Sequence, residues 1–323
     1  MRGGEKLAII RWPGGKGNFL GRLLPLIPRG GEPYTEAFLG GGSVILNKPR
    51  QGPEAVNDLD ERVVNLFRVL QDRERVKRLK YLLAHTPNSR SEWERARAMM
   101  DDPSLPPEER AWAFVVVSVL GFGGKPNGGW GITNVDKPEG RKNPLTSRLR
   151  KLGRIVDRMR HVQIDSVDAV RFLKLRNTSE AVHYIDPPYH PDTYWQKSGS
   201  NKRLYRHDDG EDLHKRLVQT LLDLKGVVVL SCYYHPVYDP LIEAGWLRLD
   251  FRTASHLTKR DPRLGTSGPG SARANAPRVE TVLLNPKAIS FLLERGSTVG
   301  PVSPVLVERL RERGDLPRTP PIL

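Results

Sequence analysis

The chain has a single cysteine, Cys232, in 323 residues. One thiol excludes an intramolecular disulfide and leaves no cysteine-based zinc site, a pattern that suits a reducing compartment. No apolar run approaches the length of a membrane span. Residues 1–10 carry charges around a four-residue apolar stretch, Leu7-Ala8-Ile9-Ile10, so neither a signal peptide nor a membrane anchor is expected there. The eight histidines, at positions 85, 161, 183, 190, 207, 214, 235 and 256, show no paired metal spacing, and no serine sits in a nucleophile elbow. No bound metal is expected, and acyl transfer is unsupported. Acidic residues are also in deficit, 37 Asp and Glu against 52 Lys and Arg, for a net charge of +15. Such a balance points to a polyanionic partner and, with the lone thiol, to a cytoplasmic protein.

What is present is organised around His183-Tyr184-Ile185-Asp186-Pro187-Pro188-Tyr189. Ala181 to Ile185 reads as a short buried strand, and two prolines forbid its continuation, so Asp186 is fixed at a strand's carboxyl end. Ligands bind at such ends in open α/β sheets. Asp186 is an acceptor, the Pro187 carbonyl meets no N–H on Pro188, and Tyr189 offers a flat ring. Two acceptors beside a stacking face suit the exocyclic amine of a nucleobase. An ordinary strand-ending turn has the same residue types.

Arg11-Trp12-Pro13-Gly14-Gly15-Lys16-Gly17 is a glycine-rich loop bearing a ring and a cation. It is not a Walker A loop, because Ile10 stands where the first glycine belongs and Gly17 replaces the magnesium-binding hydroxyl. Tyr34-Thr35-Glu36-Ala37-Phe38-Leu39-Gly40-Gly41-Gly42 predicts a strand and a glycine turn leading into an apolar helix that begins near Ser43. Asp58, at the end of a second strand, falls about where a doubly wound fold holds a ribose hydroxyl. Order and spacing together point to a nucleoside-bearing ligand, although the spacing is not G-x-G-x-x-G, which disfavours a nicotinamide oxidoreductase.

Leucine and valine at helical spacing predict one long or two short helices from Asp60 to Ala84, then helices over 91–100 and 108–120, with Trp93 and Trp112 as packing residues. The glycine-rich stretch from Gly121 to Gly131 carries Lys125, Asn127 and Trp130 and is followed by Arg141 and Lys142, a combination suited to phosphates and bases. Arg154, Arg158 and Arg160 are expected on the wet face of the next helix. Short strands follow at 162–165 and 181–185, and a polar segment with Lys197, Lys202 and Arg203 is expected to close over a substrate. A helix capped by Asp208 or Asp209 leads to a fully buried strand at 226–231. Two antiparallel edge strands, near 247–251 and 279–284, flank a basic segment with Lys259 and Arg260, and a last helix is expected over 303–313.

Taken together, Trp12-Pro13-Gly14-Gly15-Lys16, Glu36-Ala37-Phe38-Leu39-Gly40-Gly41-Gly42, Asn57-Asp58 and Asp186-Pro187-Pro188-Tyr189 resemble, in kind and order, the motifs of the Dam-like N6-adenine-specific DNA methyltransferases. The likeness covers Arg11 to about Pro286. Ala37 stands where the family usually has proline, and the basic insertion at 259–278 has no counterpart.

The resemblance implies an α/β fold: a Rossmann-like, S-adenosylmethionine-dependent methyltransferase sheet with an inserted, largely helical target-recognition domain. The implied boundaries are 1–60 and 161–295 for the two catalytic parts, 61–160 for the insertion and 296–323 for a C-terminal helix and tail. It implies S-adenosylmethionine as cofactor, bound by Trp12, Gly15, Lys16, Glu36, Phe38, Gly40, Gly42, Asp58, Asp165 and Asp186. Asp186, Pro187, Pro188 and Tyr189 would be catalytic, and double-stranded DNA would be the partner, held by the basic segments named above. A companion restriction endonuclease is a further expectation. An RNA adenine methyltransferase and a catalytically silent nucleic-acid binder are the alternative readings.

Overall fold

The computed structural model describes residues 5–28, 30–122, 128–131, 143–193, 210–253 and 278–294. A short helix, α1 (Leu20–Leu23), is cut off because Pro25 follows it at once. The first strands are β1 (Tyr34–Glu36) and β2 (Glu54–Asn57). A helical block follows: α2 (Glu61–Gln71), α3 (Arg73–Ala84), α4 (Arg90–Met99), α5 (Pro107–Leu120) and α6 (Pro144–Met159). Strand and helix then alternate through β3 (Gln163–Asp165), α7 (Ala169–Leu175), β4 (Val182–Ile185), α8 (Glu211–Leu222), β5 (Val227–Cys232) and α9 (Asp239–Glu243). The described chain ends with β6 (Leu247–Thr253), β7 (Arg278–Leu284) and α10 (Pro286–Glu294).

The seven strands form one sheet in the order β3-β2-β1-β4-β5-β7-β6. The first five run parallel, and β7 pairs antiparallel with both β5 and β6. Side chains alternate between two cores, as the pleat requires. On one face Val56, Tyr184, Val229 and Val282 pack with Phe67 of α2, Phe114 of α5 and Ile155 of α6. On the other, Ile185, Val228, Leu230 and Leu283 meet Phe172 of α7, Leu217 of α8 and Leu241 of α9.

Asp72 makes two helices of α2 and α3: its carboxylate accepts the N–H groups of Glu74 and Arg75 and starts a new helix where the first ends. Helix α5 is buried on every side from Ala111 to Leu120, as befits the centre of the helical block. Trp93 and Trp112 are packing residues, with Trp112 Nε1–H donating to Thr86 Oγ1 at 2.7 Å.

Four local expectations need correction. No α-helix forms after the glycine turn; residues 43–48 make irregular turns because Asn47 Nδ2 donates to the Ser43 carbonyl and Pro49 follows. Gly210, with φ 60°, is the N-cap of α8, one residue beyond the acids expected there. Of the two strands expected at an edge only β6 lies at one, since β7 inserts between it and β5. Arg158 is not on a wet face: its guanidinium forks onto buried Glu54 at 2.6 and 2.8 Å, beside Lys48. The helix expected over 303–313 lies outside the described residues.

Candidate active site

The chain winds outward from β1 through β2 to β3, then returns to start β4 on the other side of β1. The carboxyl ends of β1 and β4 are thus neighbours at the point where strand order reverses, and the loops leaving them diverge to leave a crevice. A cleft of about 960 Å³, its open mouth included, lies there. It is lined by the Trp12 to Lys16 loop, by Glu36, Phe38 and Gly40, by Asp58, and by Asp186 through Tyr189. Residues from four separate parts of the sequence therefore share one cavity.

One end is built of backbone. Gly40 has φ 48°, and a Cβ there would lie 2.5 Å from Nε1 of Trp12. The bare backbone lets the indole close the wall, and the Gly40 N–H donates to Asp58 Oδ2 at 2.7 Å. The Asp60 N–H donates to the other oxygen at 2.9 Å. Burial pushes the Asp58 carboxyl up to about 6 against the pull of these two amides, so at neutral pH it is ionised. Each carboxylate oxygen has acceptor capacity left over, an arrangement that fits the vicinal hydroxyls of a ribose. Nearby, Glu36 is buried, accepts from Tyr34 Oη at 2.8 Å, and is pushed by burial up to about 8. A nucleoside fits this set of donors, acceptors and bare backbone.

The other end is a knot of charge. Lys16 Nζ lies 2.7 Å from Asp186 Oδ1, 2.9 Å from Glu280 Oε1 and 2.9 Å from Tyr189 Oη. The lysine is 3% exposed; burial opposes its charge, but Asp186, Tyr189 and Glu280 outweigh that cost and hold it protonated well above the usual range. Burial pushes Asp186 up to about 6, Lys16 pulls it down, and Glu280 pushes it up again. Tyr189 stacks on Tyr233, ring centroids 4.0 Å apart and planes 15° from parallel.

Two residues expected near the cofactor lie elsewhere. Gly42 has φ 65° and faces α2, where a Cβ would meet Phe67 at 2.8 Å. Asp165 is held by the Arg176 guanidinium, and Asp168, three residues on, lines the cleft instead. Glu280 escaped sequence reasoning because it belongs to no motif. A carboxylate inside the apolar run Val279 to Leu284 was the available signal.

Of the residues expected at nucleic acid, Lys125, Asn127, Arg141, Lys142, Lys197, Lys202, Arg203, Lys259 and Arg260 lie outside the described residues. Trp130 is described: Gly121 bridges it antiparallel, and Phe122 N–H donates to the Gly129 carbonyl at 2.8 Å, so a hairpin leaves the end of α5 here. Among the described residues, His190, Asp192 and His235 come together although their sequence spacing suggests no metal set. The two imidazoles stack at 3.6 Å with planes 13° apart, so their in-plane lone pairs do not converge on a common ion.

A family model for the D12 class N6 adenine-specific DNA methyltransferases matches residues 12–237. The chain belongs to this family. It is an adenine-specific DNA methyltransferase with the sheet of an S-adenosylmethionine-dependent enzyme, and its partner is DNA. The matched region opens at Trp12 and runs past the Asp186 turn, taking in every cleft-lining residue named above but not Glu280, which lies behind the cleft against Lys16. No curated protein matches the methyltransferase at a significant level. Among its described residues, no helix is long and apolar enough to cross a membrane.

Proposed function

We propose that the methyltransferase binds S-adenosylmethionine in the half of the cleft formed by Trp12, Phe38, Gly40 and Asp58, and receives a flipped adenine in the half formed by Asp186 to Tyr189. The observation that carries this reading is that both halves open into one cavity, with Asp58 held by backbone amides at one end and Asp186 held by Lys16 at the other.

When bound, S-adenosylmethionine supplies an activated methyl group on a sulfonium. The chain's own residues prepare the acceptor. An adenine stacked in a duplex is out of reach, so it is extruded at a cost of a few kcal/mol. The Asp186 carboxylate and the Pro187 carbonyl accept the two N6 hydrogens, and Tyr189 supplies a face against the base. Accepting both hydrogens draws the amine from planar toward tetrahedral geometry and frees its lone pair. Positioning and polarisation of this kind contribute several kcal/mol to a rate. The helical block over 61–160, with the hairpin leaving α5, is the target-recognition unit, and the basic segments around Lys125, Lys197 and Lys259 hold phosphates. Such an enzyme serves either restriction–modification or the marking of phage or host DNA.

The test is transfer of tritiated methyl from S-adenosylmethionine to duplex DNA, structured RNA and duplex DNA without adenine, with nucleoside analysis of the product. N6-methyladenine in the first substrate alone is expected. Label in RNA but not in DNA, or no label in either, overturns the reading.

A further inference from the structure

Glu280 lies behind the cleft wall, against Lys16 and Tyr189, with no role in the mechanism above. It projects from β7, where Phe251 of β6 is its register partner, and is 5% exposed. Its carboxylate accepts from Ser231 Oγ at 3.1 Å and from Tyr189 Oη at 3.4 Å, and pairs with Lys16 Nζ at 2.9 Å. A buried carboxylate in an otherwise apolar strand costs several kcal/mol unless it is fully paired. Here the pairing is tied to Asp186, because the two carboxylates share one ammonium.

That sharing creates a conflict. Lys16 Nζ already sits on Oδ1 of Asp186, the carboxylate that our functional reading pairs with the Pro187 carbonyl to receive the adenine amine. An amine that takes Oδ1 displaces the ammonium from the oxygen it now holds, and an ammonium in this buried place needs another anion. We infer that Glu280 is a positioning residue that retains Lys16 when the adenine amine engages Asp186, so that the ammonium changes partners without leaving the site. Lys16 has three N–H donors and contacts both carboxylates at once, so the exchange needs a shift of one hydrogen bond rather than a movement of the chain. Glu280 also anchors Tyr189 Oη, which ties the ring meant to face the base to the same exchange.

The groups facing Asp186 are Lys16 from the N-terminal loop, Tyr189 from its own turn, Tyr184 from β4, Glu36 from β1, Cys232 from β5, Tyr238 just before α9 and Glu280 from β7. Removing the Glu280 charge leaves Lys16 wholly on Asp186. The carboxylate is then both occupied and more acidic. The expected signature is a lower turnover number together with an acid limb displaced to lower pH, a pair that simple loosening of the fold does not produce.

The inference rests on the reading of Asp186 as the amine acceptor, so the experiment carries a wild-type arm. Glu280→Gln and Glu280→Asp are compared with wild type for kcat against pH, KM for duplex DNA, S-adenosylmethionine affinity by calorimetry, and melting temperature. Expected for Glu280→Gln is a loss of about tenfold to a hundredfold in kcat, cofactor affinity and DNA KM within about twofold of wild type, and the acid limb moved down. Glu280→Asp, which keeps the charge on a shorter arm, regains part of the turnover and the wild-type limb. If Glu280→Gln does not fold, the aspartate variant decides: a kcat below wild type with the acid limb, cofactor affinity and melting temperature unchanged supports the role. An active wild type with unchanged kcat in the variants, or with kcat, cofactor affinity and melting temperature falling together, overturns the role of Glu280 alone. A wild type that methylates no adenine overturns the functional reading and this inference with it.

Discussion

Lys16 Nζ and Asp186 Oδ1 lie 2.7 Å apart, joining the first motif of the chain to the last. The contact makes the Asp186 carboxylate an acceptor already aligned with a buried cation. Asp186→Ala is expected to lower methyl transfer by on the order of a hundredfold or more, while S-adenosylmethionine affinity changes by less than about tenfold. The carboxylate must be ionised to accept, and in the free enzyme it titrates at about 6, so wild-type kcat/KM should fall as pH drops through that value. A rate independent of pH between 5 and 7, or full turnover in the alanine variant, counts against the role.

Asp58 spends one hydrogen bond per oxygen on the amides of Gly40 and Asp60 and keeps the rest of its capacity for the cleft. Asp58→Ala removes a charged acceptor worth roughly 1.5–3 kcal/mol, so cofactor affinity is expected to fall by about tenfold to a hundredfold. Calorimetric titration of S-adenosylmethionine measures it, and turnover at saturating cofactor should fall much less. An unchanged dissociation constant would move the ribose elsewhere.

Glu54 balances two buried cations, Lys48 at 2.6 Å and Arg158 at 2.6 and 2.8 Å. Glu54→Ala leaves both without a counter-charge, at an expected cost of about 3–5 kcal/mol in urea unfolding. Asp157→Ala, which removes only the exposed partner of Arg160, should leave the urea midpoint unchanged. Equal effects from the two substitutions would show that burial does not set the value of the Glu54 cluster.

His183 is fully buried in β4, with Thr35 Oγ1 2.7 Å from its Nδ1, and burial lowers its pKa to about 4. The unfolded chain binds a proton near pH 6.5 that the folded chain refuses. Its contribution is therefore complete above about pH 6.5 and is lost progressively as pH falls toward 4. His183→Gln cannot take up that proton, so its melting temperature should drop less between pH 7 and pH 5 than that of wild type. Parallel melting curves across that range would refute the assignment.

Much of the cleft was legible in the amino-acid sequence because its parts are local. A proline pair after an apolar strand fixes Asp186, and glycine beside glycine fixes the close approach at Gly40. Asp58 follows at a distance set by one short crossover. Sequence spacing does not distinguish a strand-end acid that faces Arg176, Asp165, from one at the next helix cap, Asp168, and it is Asp168 that lines the cleft. Glu280 was illegible for a different reason. Its partners Lys16, Tyr189 and Ser231 come from three other segments, and only the antiparallel insertion of β7 brings it among them. Arg158 likewise reads as solvated on its own helix and is claimed by an acid on β2. In each case long-range pairing overrode a local pattern.

The position of β7 has a consequence for how the molecule is made. On the ribosome, β5 is synthesised early and waits with one edge unpaired until the strand that belongs beside it has emerged. The last described strand, β7, brings with it the carboxylate that completes the ionic knot around Lys16. A chain terminated ahead of residue 278 would leave that edge of β5 bare and should be an aggregation-prone fragment.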